Sequence, residues 1–111
     1  MAGNAKISID RDHLRHMTLG DRNLESEVLR LFDVQAARLV GQMREADPAA
    51  LAALAHALKG SARGIGAFAV ASAAEDLERS KDGIERECAF DRLARAVGAA
   101  RSAIGKILQV A

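Results

Sequence analysis

The chain has 111 residues, half of them hydrophobic but only 3% aromatic, and 16 Lys/Arg against 15 Asp/Glu leave a formal charge of +1. That length suits one domain with a core of its own, while interleaved charges and scarce aromatic platforms argue against a nucleic-acid partner. A lone cysteine excludes an internal disulfide and a cysteine-rich zinc site, and no stretch reaches the about 18 to 20 apolar residues of a membrane span.

The opening MAGNAKISIDRDH lacks the apolar centre of a secretory signal, so a cytoplasmic setting is expected. Asp10 is an N-cap candidate for a short helix over about 10–19, with Leu14 and Met17 at helical spacing and Gly20 as its stop. Asp21 caps a second helix, about 21–46, whose stripe is Leu24, Val28, Leu31, Phe32, Leu39 and Met43. Asp47-Pro48 restarts the chain: the carboxylate accepts from free N–H groups and proline fits the first helical position. The third helix covers 48–65 and breaks near Gly64-Ile65-Gly66. A fourth, 67–80, turns Phe68, Ala71, Ala74 and Leu77 inward.

Lys81-Asp82-Gly83 is a turn. A last helix over about 84–108 carries Cys88, Leu93, Val97, Ile104 and Ile107, with Cys88 as a small buried hydrophobe. Strand formers are few, and there is no repeat, linker or second composition zone. The expected fold is therefore all-α: an up-down antiparallel four-helix bundle with a short additional N-terminal helix, one domain over 1–111. Packing of the long helices inside a single bundle points to a monomer.

The third helix carries the unusual surface. Leu51, Leu54, Leu58, Ala62 and Ile65 fall within about 40° of one line, and His56 lies about 160° away, facing solvent. Around His56 on that outer face are Ala49, Ala52, Ala53, Lys59, Gly60, Arg63 and Gly64: small residues and cations, with no carboxylate from this helix. Each mid-helix glycine costs roughly 1 kcal/mol relative to alanine. Gly60 sits one turn beyond His56, where a side chain would crowd the imidazole. A lone exposed histidine is usually an ordinary surface residue, and glycines can serve helix packing. From these residues the face reads equally well as plain surface or as a nucleophile kept accessible. His13 and His16, three apart in the first helix, are surface histidines rather than a metal pair, since no third ligand accompanies them. Met17 and Met43 read as core, and the charged runs at 75–82 and 85–95 as solvated faces.

His56-Ala57-Leu58-Lys59-Gly60-Ser61-Ala62-Arg63-Gly64-Ile65-Gly66-Ala67 closely resembles the signature of histidine-containing phosphotransfer (HPt) domains of bacterial phosphorelays. The fixed positions of that pattern are met, and Leu31-Phe32, Asp47 and Leu77-Glu78 fit its surroundings, so the resemblance spans about residues 10–108. It implies a bundle with the active histidine exposed midway along one helix. His56 would accept a phosphoryl group from a receiver-domain aspartyl phosphate and return it to such an aspartate. Lys59 would lie near the phosphoryl oxygens, Gly60 would leave room for the receiver, and Glu78 would orient the imidazole. Ala52, Ala53, Lys59, Gly60, Arg63 and Gly64 would form the docking face.

The implied partners are response-regulator receivers, a hybrid histidine kinase, or both. No metal site or cofactor is expected on the chain itself, Mg²⁺ arriving with the receiver. A glycine-rich phosphate loop is missing, so autophosphorylation from ATP is not expected. Two rivals stand beside this reading. One is a bundle of the same fold that binds a receiver without transferring phosphate, against which the intact His56-Lys59-Gly60 set speaks. The other is an unrelated structural helical protein, which calls for a wider exposed apolar seam.

Overall fold

A computed structural model describes residues 8–110, and among them there are five helices and no strand. They are α1 (Arg11–Met17), α2 (Arg22–Met43), α3 (Pro48–Ile65), α4 (Phe68–Arg79) and α5 (Gly83–Val110). Most of the N-terminal stretch read above for a signal lies outside the described residues.

Three aspartates start three helices by the same device. Asp10, Asp21 and Asp47 each accept, through Oδ1, the backbone N–H three residues on, at 3.0, 3.1 and 2.8 Å. Two helices then stop by the same device. The N–H of Leu19 donates to His16 O and that of Gly20 to Arg15 O, and at the end of α3 Gly66 donates to Arg63 O and Ala67 to Ala62 O. Both are Schellman closures, each with a left-handed residue: Leu19 at φ 55° and Gly66 at φ 84°. Gly64, read above as part of the break, lies inside α3; the stop is Gly66.

α3 packs most extensively on α4, and also on α2; α5 packs on α4 and α2, while α1 lies against α3. The core between them is Leu29, Phe32, Ala36, Leu39, Val40 and Met43 of α2, Leu51, Ala55, Leu58, Ala62 and Ile65 of α3, Val70, Ala71, Ala74 and Leu77 of α4, and Ala89, Leu93, Val97, Ala100 and Ile104 of α5. Many of these are alanines, which allow the helix axes to approach closely.

Several expected core positions face out instead. Leu24 and Leu31 of α2 are exposed, because Leu29, Ala36 and Val40 take the inner line and turn those leucines to its side. Met17 is exposed at the end of a seven-residue helix that buries only Leu14. Phe68 is 44% exposed, its neighbour Val70 being the inward residue. Cys88 is exposed since the adjacent Ala89 faces the core. Leu54 and Ile107 are half-buried, packed against the core from its rim.

Gly66 joins α1 to this framework. Its carbonyl accepts the Asp10 N–H at 2.9 Å, and a Cβ at Gly66 would lie 2.7 Å from the Asp10 carbonyl oxygen. Positive φ and backbone contact act in the same direction, so Gly66→Ala is expected to lower stability by about 1–3 kcal/mol. A thermal melt followed by circular dichroism reads this; an unchanged midpoint would show that the anchor carries no stability.

Candidate functional site

The middle of α3 is rigid by construction. Ala55, Leu58 and Ala62 are fully buried, so the helix is pinned along one side. The opposite side presents His56, whose side chain is 68% exposed. The chain thus holds an imidazole in solvent on a backbone with little freedom to move, as a reacting group needs.

α4 supplies what α3 lacks. The carboxylate of Glu78 reaches across and uses both oxygens: Oε2 lies 2.8 Å from His56 Nδ1, and Oε1 accepts from Lys59 Nζ at 2.9 Å. An ionised carboxylate can only accept, so Nδ1 carries the proton in this pair, and in the neutral ring the lone pair is then on the opposite nitrogen, Nε2. Glu78 therefore stands on one ring nitrogen, away from the other. The lysine beside it holds the Glu78 carboxyl below its ordinary value; partial burial opposes this, and the His56 hydrogen bond adds to it.

That depression fixes a pH dependence. The folded chain binds the Glu78 proton more weakly than the unfolded chain does. The stabilisation is therefore present above the ordinary glutamate range and is lost as pH falls through the lowered folded value. Carboxyl ¹³C shifts recorded during an acid titration should place the Glu78 midpoint below that of an exposed glutamate in the same chain. A midpoint at or above the exposed residue's would mean that the three-way contact does not form in solution.

A second bridge lies one turn along. Arg63 Nη2 is 3.2 Å from Glu75 Oε1, and Arg79 Nη2 is 3.0 Å from Glu75 Oε2. The face around His56 is not free of carboxylates, as α3 by itself suggests: α4 brings Glu75 and Glu78 to meet α3's cations. Glu75 and Arg79 were missed by sequence reasoning. Their signal was the spacing 75, 78, 79, which puts three charged residues on one face of α4 opposite the Lys59–Arg63 turn of α3.

The remaining residues of the expected docking face fall as follows. Ala53, Gly60, Arg63 and Gly64 are exposed, and Ala52 and Lys59 are half-buried. A Cβ built on Gly60 or Gly64 would meet nothing within 4 Å. Packing within the chain therefore asks for no glycine there, and a methyl at 60 would not press on the imidazole. The free space lies outside the molecule.

His13 is half-buried rather than a surface residue, its ring edge-on to Phe68 with centroids 5.0 Å apart. His16 is exposed. Among the described residues, no group of three or more His, Cys, Asp and Glu side chains is placed to hold a metal ion, and no helix is long and apolar enough to cross a membrane.

The Hpt-domain family model matches residues 26–103, most of the chain. A crystal structure of a rice protein described as a candidate histidine-containing phosphotransfer protein is similar in fold, with a TM-score of 0.63 at 18% identity, covering 96% of this chain and 78% of that one. No curated protein matches the chain.

Proposed function

Because the chain belongs to the Hpt-domain family, whose role is phosphotransfer in phosphorelays, we propose that it carries a phosphoryl group on His56, taking it from one receiver aspartate and giving it to another. The observation that carries this reading is the exposed imidazole held at Nδ1 by Glu78, which leaves Nε2 free on the side facing solvent.

In the forward step the Nε2 lone pair attacks phosphorus of the receiver's aspartyl phosphate. The N–P bond forms, the P–O bond to aspartate breaks, and the carboxylate leaves with the electron pair. The ring keeps its Nδ1 proton and becomes cationic, and the Glu78 carboxylate beside that proton stabilises it. Lys59, three residues from His56 on the same face, supplies the countercharge for the phosphoryl oxygens. The reverse step uses the same contacts, so direction depends on the receivers present. Positioning and charge supply most of the rate in such transfers.

In the same proposal α2–α5 form an up-down antiparallel four-helix bundle, with α1 as an additional helix, in one domain acting as a cytoplasmic monomer. Receivers, or the receiver of a hybrid histidine kinase, dock over Ala52, Ala53, Lys59, Gly60, Arg63 and Gly64. Mg²⁺ comes with the receiver: both carboxylates near His56 are already engaged by cations, and such a pair does not suit a resident metal. The chain relays phosphate and does not make phosphohistidine from ATP.

The test is incubation of the purified chain with a panel of labelled phospho-receivers. Label should move to the chain in an acid-labile, base-stable form and map to the peptide carrying residue 56. Tight binding to a receiver without transfer of label would instead identify an adaptor.

A further inference from the structure

A second charged site lies at the end of the molecule, sharing no residue with the His56 face. Arg11 and Arg15 from α1, Arg22 at the start of α2, and Lys106 near the end of α5 converge on a pocket of about 420 Å³. Glu25 is the one carboxylate in its lining and lies 3.8 Å from Arg11, at the long end of ion-pair distance. Arg15 pairs at 3.6 Å with Asp12, whose side chain is 95% exposed, a contact worth little in water. Among the described residues neither Arg22 nor Lys106 forms an ion pair. Four cations from three helices thus face one concavity with little internal compensation.

Elsewhere among the described residues some cations are paired and others, Arg30, Arg86 and Arg92 among them, are not; what sets the pocket apart is that four cations line one concavity. Asp33 holds Arg101, Glu75 holds two arginines, and Glu78 holds Lys59. Holding like charges together around a pocket costs free energy that a bound anion relieves. The packing points the same way. α1 lies against α3, yet the pocket forms where α1 faces α2 and α5, so a ligand there would link α1 to two helices it otherwise touches little.

We propose that this pocket binds a phosphate-bearing small molecule of about nucleotide size. Three guanidinium forks and an ammonium offer more donors than one carboxylate can accept, and they match the several oxygens of a phosphate chain. Ile107 and the alkyl stems of the arginines provide an apolar wall for the rest of the ligand. The volume is in the range of small-molecule sites. The proposal does not depend on His56 chemistry.

The experiment is a ¹H–¹⁵N titration of the 111-residue chain with pyrophosphate and, separately, with ADP, beside the double variant Arg22→Gln/Lys106→Gln and the control Arg95→Gln. Saturable shifts confined to residues 11–26 and 104–108 are expected, with a Kd of about 1 mM or below. The double variant should bind at least about tenfold more weakly, and the control should bind as wild type. ADP binding tighter than pyrophosphate would place the organic part on the apolar wall; equal affinities would assign recognition to phosphate while leaving the pocket a phosphate site. No saturation by about 10 mM, shifts centred on His56 and Lys59, or equal loss of binding in the control and the double variant would each overturn the proposal.

Discussion

Replacing His56 with Ala is expected to abolish phosphoryl uptake from a phosphorylated receiver and to leave the fold intact. The substitution removes the atom proposed to form the N–P bond, so transfer should fall to background rather than by a modest factor. Its structural cost is small, because the imidazole is largely in solvent and touches the molecule mainly through Glu78, which keeps its Lys59 partner. The change in stability should be within about 0.5 kcal/mol. Transfer of label with a parallel thermal melt reads both quantities. Uptake at a rate comparable to wild type would place the reacting group elsewhere.

Gly60→Glu should separate transfer from stability in opposite directions. Helix propensity favours glutamate over glycine by roughly 0.5–1 kcal/mol at a mid-helix position, and a Cβ there meets nothing within 4 Å. The melting temperature should therefore hold or rise. Docking should suffer, because a carboxylate one turn from His56 meets an incoming acidic, phosphorylated site. Like-charge contact at an interface costs several kcal/mol, so a loss of transfer on the order of a hundredfold is expected. Wild-type transfer in that variant would remove Gly60 from the docking surface.

How much of this could be read from the chain varies with how local each feature is. The start of α3 was legible because Asp47-Pro48 states it in two residues, and the outward direction of His56 followed from periodicity within the same helix. α2 was less legible. Counting large apolar residues drew in Leu24 and Leu31, whereas the buried line runs through Ala36, which a periodicity count passes over. In an alanine-rich chain small residues are core wherever helices approach closely, and the stripe in the first half of α2 was misplaced by roughly 100°. Phe68 and Cys88 failed at helix beginnings, where a one-residue change in phase, again about 100°, moves a side chain from inside to outside. The charged partnership was the least visible. Glu78 sits 22 residues from His56, and only the packing of α4 on α3 shows that one carboxylate serves both the imidazole and the lysine. Glu75 is the same case without a motif to point at it.

The two glutamates also bear on timing. Before any phosphoryl group arrives, the three cations beside His56 are already answered by two carboxylates on the adjoining helix. The two carboxylates cancel most of that charge, so the face casts a reduced long-range field, and a receiver docking there would be held mainly by contacts made at touching distance. Such an encounter would form without strong electrostatic steering. In the proposed relay the arriving phosphoryl charge would compete with Glu78 for Lys59, so the loaded and unloaded faces would differ in which anion holds that lysine.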